Sequence, residues 1–154
     1  MNKIYLVQHG AAASKEVDPE RPLTGTGTQA VQAMARFLRD SGVQPAAILH
    51  SGKLRAQQSA DILARVLLSG APATVVDHIN PGDSAQAFAA SLDRFANGTM
   101  FVGHLPFMEK LVALLLSGSE STTLVQFTPG SVACLAAAGQ DWRLEWMLRP
   151  ELLQ

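Results

Sequence analysis

Short apolar, β-rich runs alternate along this chain with amphipathic stretches of helical period, and no other feature restricts the fold as much. "KIYLV" (3–7), "AAILHS" (46–51), "ATVVD" (73–77) and "TMFVGH" (99–104) read as short strands suited to burial. Between them, Thr24 or Thr26 can cap a helix through "TQAVQAMARFLRDSG". There Val31, Met34, Phe37 and Leu38 recur at helical spacing, and Gly42 ends the run. "KLRAQQSADILARVLLSG" predicts a second helix, with Leu54, Ala60, Leu63, Leu67 and Leu68 facing inward. "SAQAFAASLDRFA" predicts a third, and "PFMEKLVALLLSG" a fourth with Pro106 in its first turn. Residues 11–23, charged and carrying two prolines, read as a loop. "GSVACLAAAG" and "WRLEWML" form a hairpin around "GQD", with Trp142, Leu144, Trp146 and Leu148 alternating in the second run. Strands joined through helices pair in parallel. The expected fold is therefore an α/β three-layer α/β/α sandwich: a mostly parallel sheet, helices on both faces and a C-terminal antiparallel hairpin.

At 154 residues and 47% hydrophobic content, the chain suits one domain over 1–154 with its own core. A formal net charge of −1 provides no global field for nucleic acid or an anionic membrane, so neither is an expected partner. Any anion site must come from a local cluster. "MNKIYLV" is too short in its apolar part for a leader, and no apolar stretch reaches bilayer length, so a cytoplasmic location is expected. The lone Cys134, inside "SVACLAAA", reads as a small buried hydrophobe.

Ligands of open α/β sheets bind beyond the carboxyl ends of the strands. Three of those ends are polar here: Gln8-His9-Gly10, His50-Ser51-Gly52 and Gly103-His104. Arg55 lies one turn into the helix after Ser51, and Arg21 lies in the loop segment "ERPLT". Guanidinium forks and helix N-termini favour an oxyanion, and a neutral imidazole beside a phosphate is a competent nucleophile. Periodicity places these residues at strand ends but not beside one another. Plainer roles stay open: His9 and His104 as strand-end histidines bound to backbone, Arg55 as a solvated helix residue, Arg21 as a loop charge. His50 and His78 read as structural. A metal site built from His9, His50 and His104 lacks ligand spacing within any one element, so neither metal nor cofactor is expected.

"LVQHG", "RPLTGTG", "LHSGKLRAQQSA" and "FVGHLP", in that order over nearly the whole chain, resemble the histidine phosphatase superfamily. The short length and "ERPLT" are most similar to its SixA-type phosphohistidine phosphatases. The resemblance implies His9 as the nucleophile that takes the phosphoryl group, with Arg55 and the partner histidine His104 around the phosphate. It further implies Arg21 as a phosphate ligand, and it sets Ser51 at the serine of the family's "SP", with Gly52 in place of the proline. Gln8 departs from the pattern, which has arginine at that position. Its amide can donate but carries no charge. Losing one charge-assisted hydrogen bond of about 1.5–3 kcal/mol costs roughly 10- to 100-fold in rate or affinity. The expected function is metal-independent removal of a phosphoryl group from a phosphohistidine protein through an enzyme phosphohistidine. With no long insertion between the second and fourth strands, the site stays open, which suits a phosphorylated side chain projecting from another protein. No motif assigns Glu16, Asp18 or Glu20 as a general acid. The alternatives are a phosphatase of small phosphoesters, and a binding module in which Gln8 has weakened or removed turnover.

Overall fold

The first strand runs one residue past its predicted end, Lys3–Gln8 (β1), in the computed structural model, which describes residues 3–153. There follow Gly25–Asp40 (α1), Ala47–His50 (β2), Leu54–Leu67 (α2), Thr74–Val75 (β3) and Ala85–Ala90 (α3). Thr99–Gly103 (β4), Phe107–Ser117 (α4), Val132–Ala138 (β5) and Asp141–Leu148 (β6) complete the order. One six-stranded sheet runs β3-β2-β4-β1-β5-β6. Its β3–β2, β2–β4 and β4–β1 pairs are parallel, and its β1–β5 and β5–β6 pairs are antiparallel. The fold is thus an α/β sandwich on a mixed sheet, closed by the C-terminal hairpin.

Strand alternation divides the core in two. Tyr5, Val7, Met100 and Val102 point to the face covered by α1 and α2, where they meet Val31, Met34, Leu38, Ala60 and Leu63. Ile4, Leu6 and Phe101 point to the opposite face, under Phe88, Phe107 and Leu111 of α3 and α4. Phe101 takes edge-on contacts there from Phe88 and Phe95, with ring centroids 5.2 and 5.0 Å away.

Of the two candidate caps, Thr24 starts α1, its Oγ1 accepting the Gly27 N–H at 2.9 Å. Gly27 is required by proximity, because a Cβ there would stand 2.1 Å from the Ala11 carbonyl oxygen. The start of α1 is thereby docked directly on the chain leaving β1.

Some local expectations give way to packing. Phe37 is exposed, and the buried stripe of α1 is Val31, Met34, Ala35 and Leu38. β3 keeps only two residues because it forms an exposed edge. The third helix stops at Ala90 and continues as a 3-10 turn, Leu92–Arg94. Pro106 occupies the cap position before α4. On β6 the expected alternation breaks at a bulge: Cys134 faces Trp146 while Leu135 faces Leu144. The extra residue sends Trp142 and Met147 to one face and Trp146 and Leu148 to the other. Cys134 is fully buried, as expected, and burial pushes its thiol pKa up to about 11. Among the described residues, no helix is long and apolar enough to cross a membrane.

Candidate active site

Because β2, β4 and β1 are neighbours and run parallel, their carboxyl ends finish side by side. Gln8 pairs with Gly103, and His50 pairs with Val102, so the next residues of each strand converge. The His9 N–H donates to the Gly103 carbonyl at 3.0 Å. The Gly130 N–H donates to the carbonyls of Gln8 and His9 at 3.0 and 3.1 Å, which clamps the backbone on its other side.

The ring of His9 is fixed as firmly as its backbone. Its Nδ1 lies 2.7 Å from the Gly10 carbonyl oxygen, and since a carbonyl only accepts, Nδ1 carries the proton. Nε2 therefore keeps a free lone pair, which takes the Arg55 Nε–H at 3.3 Å. The His104 ring lies 5.0 Å away, centroid to centroid, tilted by 55°. His104 is held in turn by a 2.6 Å hydrogen bond between its Nε2 and Ser51 Oγ.

A residue that the sequence reading missed ties these elements together. Ser59 Oγ accepts the Gly10 N–H at 2.9 Å and donates to the Arg55 carbonyl at 2.8 Å, from a fully buried position on α2. The signal for it was present: a serine four residues after Arg55, within the apolar stripe of the same helix.

Arg21 stands across the opening from Arg55. Its backbone is left-handed (φ 52°), uncommon for a side chain of this size, and its Nε donates to the Ala13 carbonyl at 3.0 Å. Between the first loop and the start of α2 opens a cleft of about 590 Å³, whose lining includes Lys15, Glu20, Arg21, Lys53 and Arg55.

Electrostatics keep both central imidazoles neutral at pH 7. Burial is the main reason that the His9 pKa falls from 6.5 to about 4. Arg55 and Arg21 push it the same way, and the Gly10 hydrogen bond opposes them. His104 falls to about 3, again chiefly through burial, then because its imidazolium would be repelled by that of His9 in acid and by the charges of Arg55, Lys53 and Arg21. The Arg55 pKa is also lowered, by burial and by Arg21. Two neutral rings and two guanidiniums make a site that gains most from an anion.

Gln8 is buried beside this cluster, its backbone N–H bonded to the Ser131 carbonyl at 3.1 Å. Its Oε1 has no hydrogen-bond partner, and neither has Nδ1 of His104. His50, by contrast, spends its Nδ1 on the Gly52 N–H at 3.0 Å and belongs to the turn. Gly52 has φ 92°, which a proline ring cannot adopt, so the chain after Ser51 takes a turn that the "SP" pattern would forbid. His78 lies in a left-handed turn after β3. Among the described residues, no three His, Cys, Asp or Glu side chains are grouped to hold a metal ion.

Residues 4–80 match the family model of the histidine phosphatase superfamily (branch 1). The chain is 27% identical over 154 residues to the phosphohistidine phosphatase SixA of Escherichia coli (strain K12), covering 96% of this chain and 94% of that one. It is 35% identical over 111 residues to an uncharacterized protein of Picosynechococcus sp., covering 68% and 67% of the two chains. Among solved structures it is similar to the protein histidine phosphatase SixA complexed with tungstate, with a TM-score of 0.85 and 26% identity over 99% of each chain. A match over half the sequence, spanning His9, Arg21 and Arg55, and a likeness of fold over nearly all of it lead to one assignment: the chain belongs to the histidine phosphatase superfamily.

Proposed function

We propose that this protein is a phosphatase that takes the phosphoryl group of a phosphohistidine side chain on another protein and passes it to water through His9. The observation that carries this reading is the state of His9: its tautomer is set by Gly10, and its unprotonated Nε2 faces the Arg55 guanidinium, whose N–H it accepts until a phosphoryl oxygen takes that N–H over. In the first step a bond forms between Nε2 and phosphorus while the phosphorus–nitrogen bond to the substrate imidazole breaks. The leaving ring takes a proton from water. A second water then attacks phosphorus, its released proton neutralising the hydroxide left by the first, and the phosphorus–Nε2 bond breaks to give hydrogen phosphate and neutral His9.

Arg21, Arg55 and His104 hold the phosphoryl oxygens and offset their charge, and Ser51 orients His104. A phosphoramidate bond needs little help to break, which suits a cleft whose one lining carboxylate, Glu20, no motif assigns as an acid. The donor set of arginines and neutral histidines supplies the charge that a divalent ion would otherwise bring, so the reaction requires no metal. The likeness to a protein named as a phosphohistidine phosphatase supports the choice of substrate.

Acid-labile, alkali-stable phosphate should be trapped on the peptide containing His9 when turnover is quenched with alkali, and His9→Ala should abolish both adduct and turnover. Normal turnover by His9→Ala would sink the mechanism. One observation favours a second reading, a module that binds phosphohistidine without cleaving it: the uncharged Gln8 at the carboxyl end of β1, where the resemblance implies an arginine. Tungstate binding with no phosphate release from phosphohistidine would select it. Faster turnover of simple phosphomonoesters than of a phosphohistidine protein would instead point to a small-molecule substrate.

A further inference from the structure

Two of the cations that line the cleft have no work in phosphoryl transfer. Lys15, Arg21, Lys53 and Arg55 line it against the single carboxylate of Glu20, in a chain whose net charge is −1. Arg21 and Arg55 serve the phosphoryl group. Among the described residues Lys15 and Lys53 make no ion pair; those present are Arg39–Asp40 and Arg149–Glu151. The acids near Lys15 in sequence are Glu16, which is exposed, and Asp18, whose Oδ1 accepts the Glu20 N–H at 2.9 Å. Lys53 caps α2 through its backbone only, and its ammonium group, a minor contributor beside burial to keeping His104 neutral, makes no ion pair among the described residues.

A second observation marks the same rim. Val17 is 80% exposed and stands between Lys15 and Pro19 in the first loop; Val75 is 63% exposed. The Val75 methyl Cγ2 lies where a side chain on Gly52 would touch it, at 3.2 Å, so it borders the cleft beside Lys53. A single exposed valine needs no explanation. Two that bracket a cleft, each beside an unpaired lysine, form the mixed apolar and charged edge of a protein interface.

We propose that this rim is a docking surface for an acidic face of the phosphoprotein: Lys15 and Lys53 meet carboxylates that flank the phosphohistidine, and Val17 and Val75 cover apolar surface beside them. The proposal rests on the phosphohistidine phosphatase reading above. A second copy of this chain fits poorly, because two-fold pairing would set these cations against their own images. Nucleic acid fits poorly too, since none of the residues lining the cleft is aromatic and could stack on bases.

The test uses two peptides phosphorylated on histidine, identical except for glutamates or lysines flanking the phosphohistidine, with N-phosphoimidazole as a substrate too small to reach the rim. Two solvated ion pairs give the acidic peptide an advantage in kcat/KM of roughly 2- to 25-fold at about 50 mM salt, fading toward none at about 500 mM. Lys15→Gln with Lys53→Gln should erase that preference while kcat on phosphoimidazole stays the same. Val17→Ser with Val75→Ser should raise KM for the acidic peptide several-fold, again without changing kcat on phosphoimidazole. If phosphoimidazole is hydrolysed but the wild type shows no acidic preference, or the double glutamine variant keeps it, the docking surface is wrong and the phosphatase reading stands. If all three substrates remain intact, the phosphatase reading fails and the docking proposal fails with it.

Discussion

Replacing Gln8 with arginine changes one buried side chain and moves two measurable quantities. The amide is 8% exposed, and its Oε1 accepts no hydrogen bond from the protein among the described residues. Arginine removes that acceptor but adds a third guanidinium to Arg21 and Arg55, so the ligand-free protein gains little. A bound oxyanion reverses the balance, because the new guanidinium then finds its counter-charge. One charge-assisted hydrogen bond of about 1.5–3 kcal/mol corresponds to roughly 10- to 100-fold tighter binding.

The assay is calorimetric titration with tungstate. Gln8→Arg should bind it roughly 10- to 100-fold more tightly at low salt, with the gain shrinking as salt rises. The added cation also disfavours the imidazolium of His9. Attack needs neutral His9, whose pKa is about 4, so the acidic limb of the rate profile should move below that value. Tungstate affinity that is unchanged or weaker would show that the side chain at position 8 does not reach the anion. A wild type without turnover beside an active Gln8→Arg would identify the natural protein as a binding module.

Four further outcomes are expected. Arg55→Ala should lower kcat/KM and tungstate affinity by roughly 10- to 100-fold, whereas Arg36→Ala, on the exposed side of α1, should change neither; equal small effects would displace the proposed clamp. Ser59→Ala strands the Gly10 N–H in the interior and should cost about 1–3 kcal/mol in denaturant unfolding, with a loss below about 0.5 kcal/mol counting against its linking role. Both site histidines have folded pKa values below 6.5, so the stability they contribute is complete above pH 6.5 and lost as pH falls toward about 4 and then about 3; His104→Gln should flatten that acid slope, and an unchanged slope would place the titration elsewhere. Exhaustive chelation should leave turnover intact, and its loss with recovery on adding one divalent ion would overturn the metal-free mechanism.

The fold was legible wherever one side of an element decides its burial. The first and fourth strands lie buried on both faces and show as unbroken apolar runs, and their ends fall within a residue of prediction. α1 follows its periodic stripe except at Phe37, because the neighbouring face of Ala35 and Leu38 suffices to reach the sheet. β6 failed the same rule for a different reason. A bulge changes the face of every later residue, and nothing in "WRLEWML" announces it, since the extra residue is specified by pairing with β5.

The candidate site was legible residue by residue and illegible as an arrangement. His9, Ser51 and His104 each follow a strand, but 42 positions separate the first two and 53 the last two. Only the strand order, with β4 inserted between β2 and β1, makes those ends adjacent, and the hydrophobic pattern is the same for any order. The glycines carry part of the missing information. Gly27 permits α1 to press against the segment after His9, and a side chain there would drive the "RPLT" loop, with Arg21, away from the cluster. Ser59 carries the rest, since only a small buried hydroxyl can join the Gly10 N–H to the Arg55 carbonyl at that separation. The residues proposed to touch the phosphoryl group are therefore recognisable from their chemistry, whereas those that bring them together are small, buried and chemically silent in the sequence. Gln8 belongs to the first group by position and the second by burial, and for that reason its replacement discriminates most sharply between an enzyme and a module that only binds.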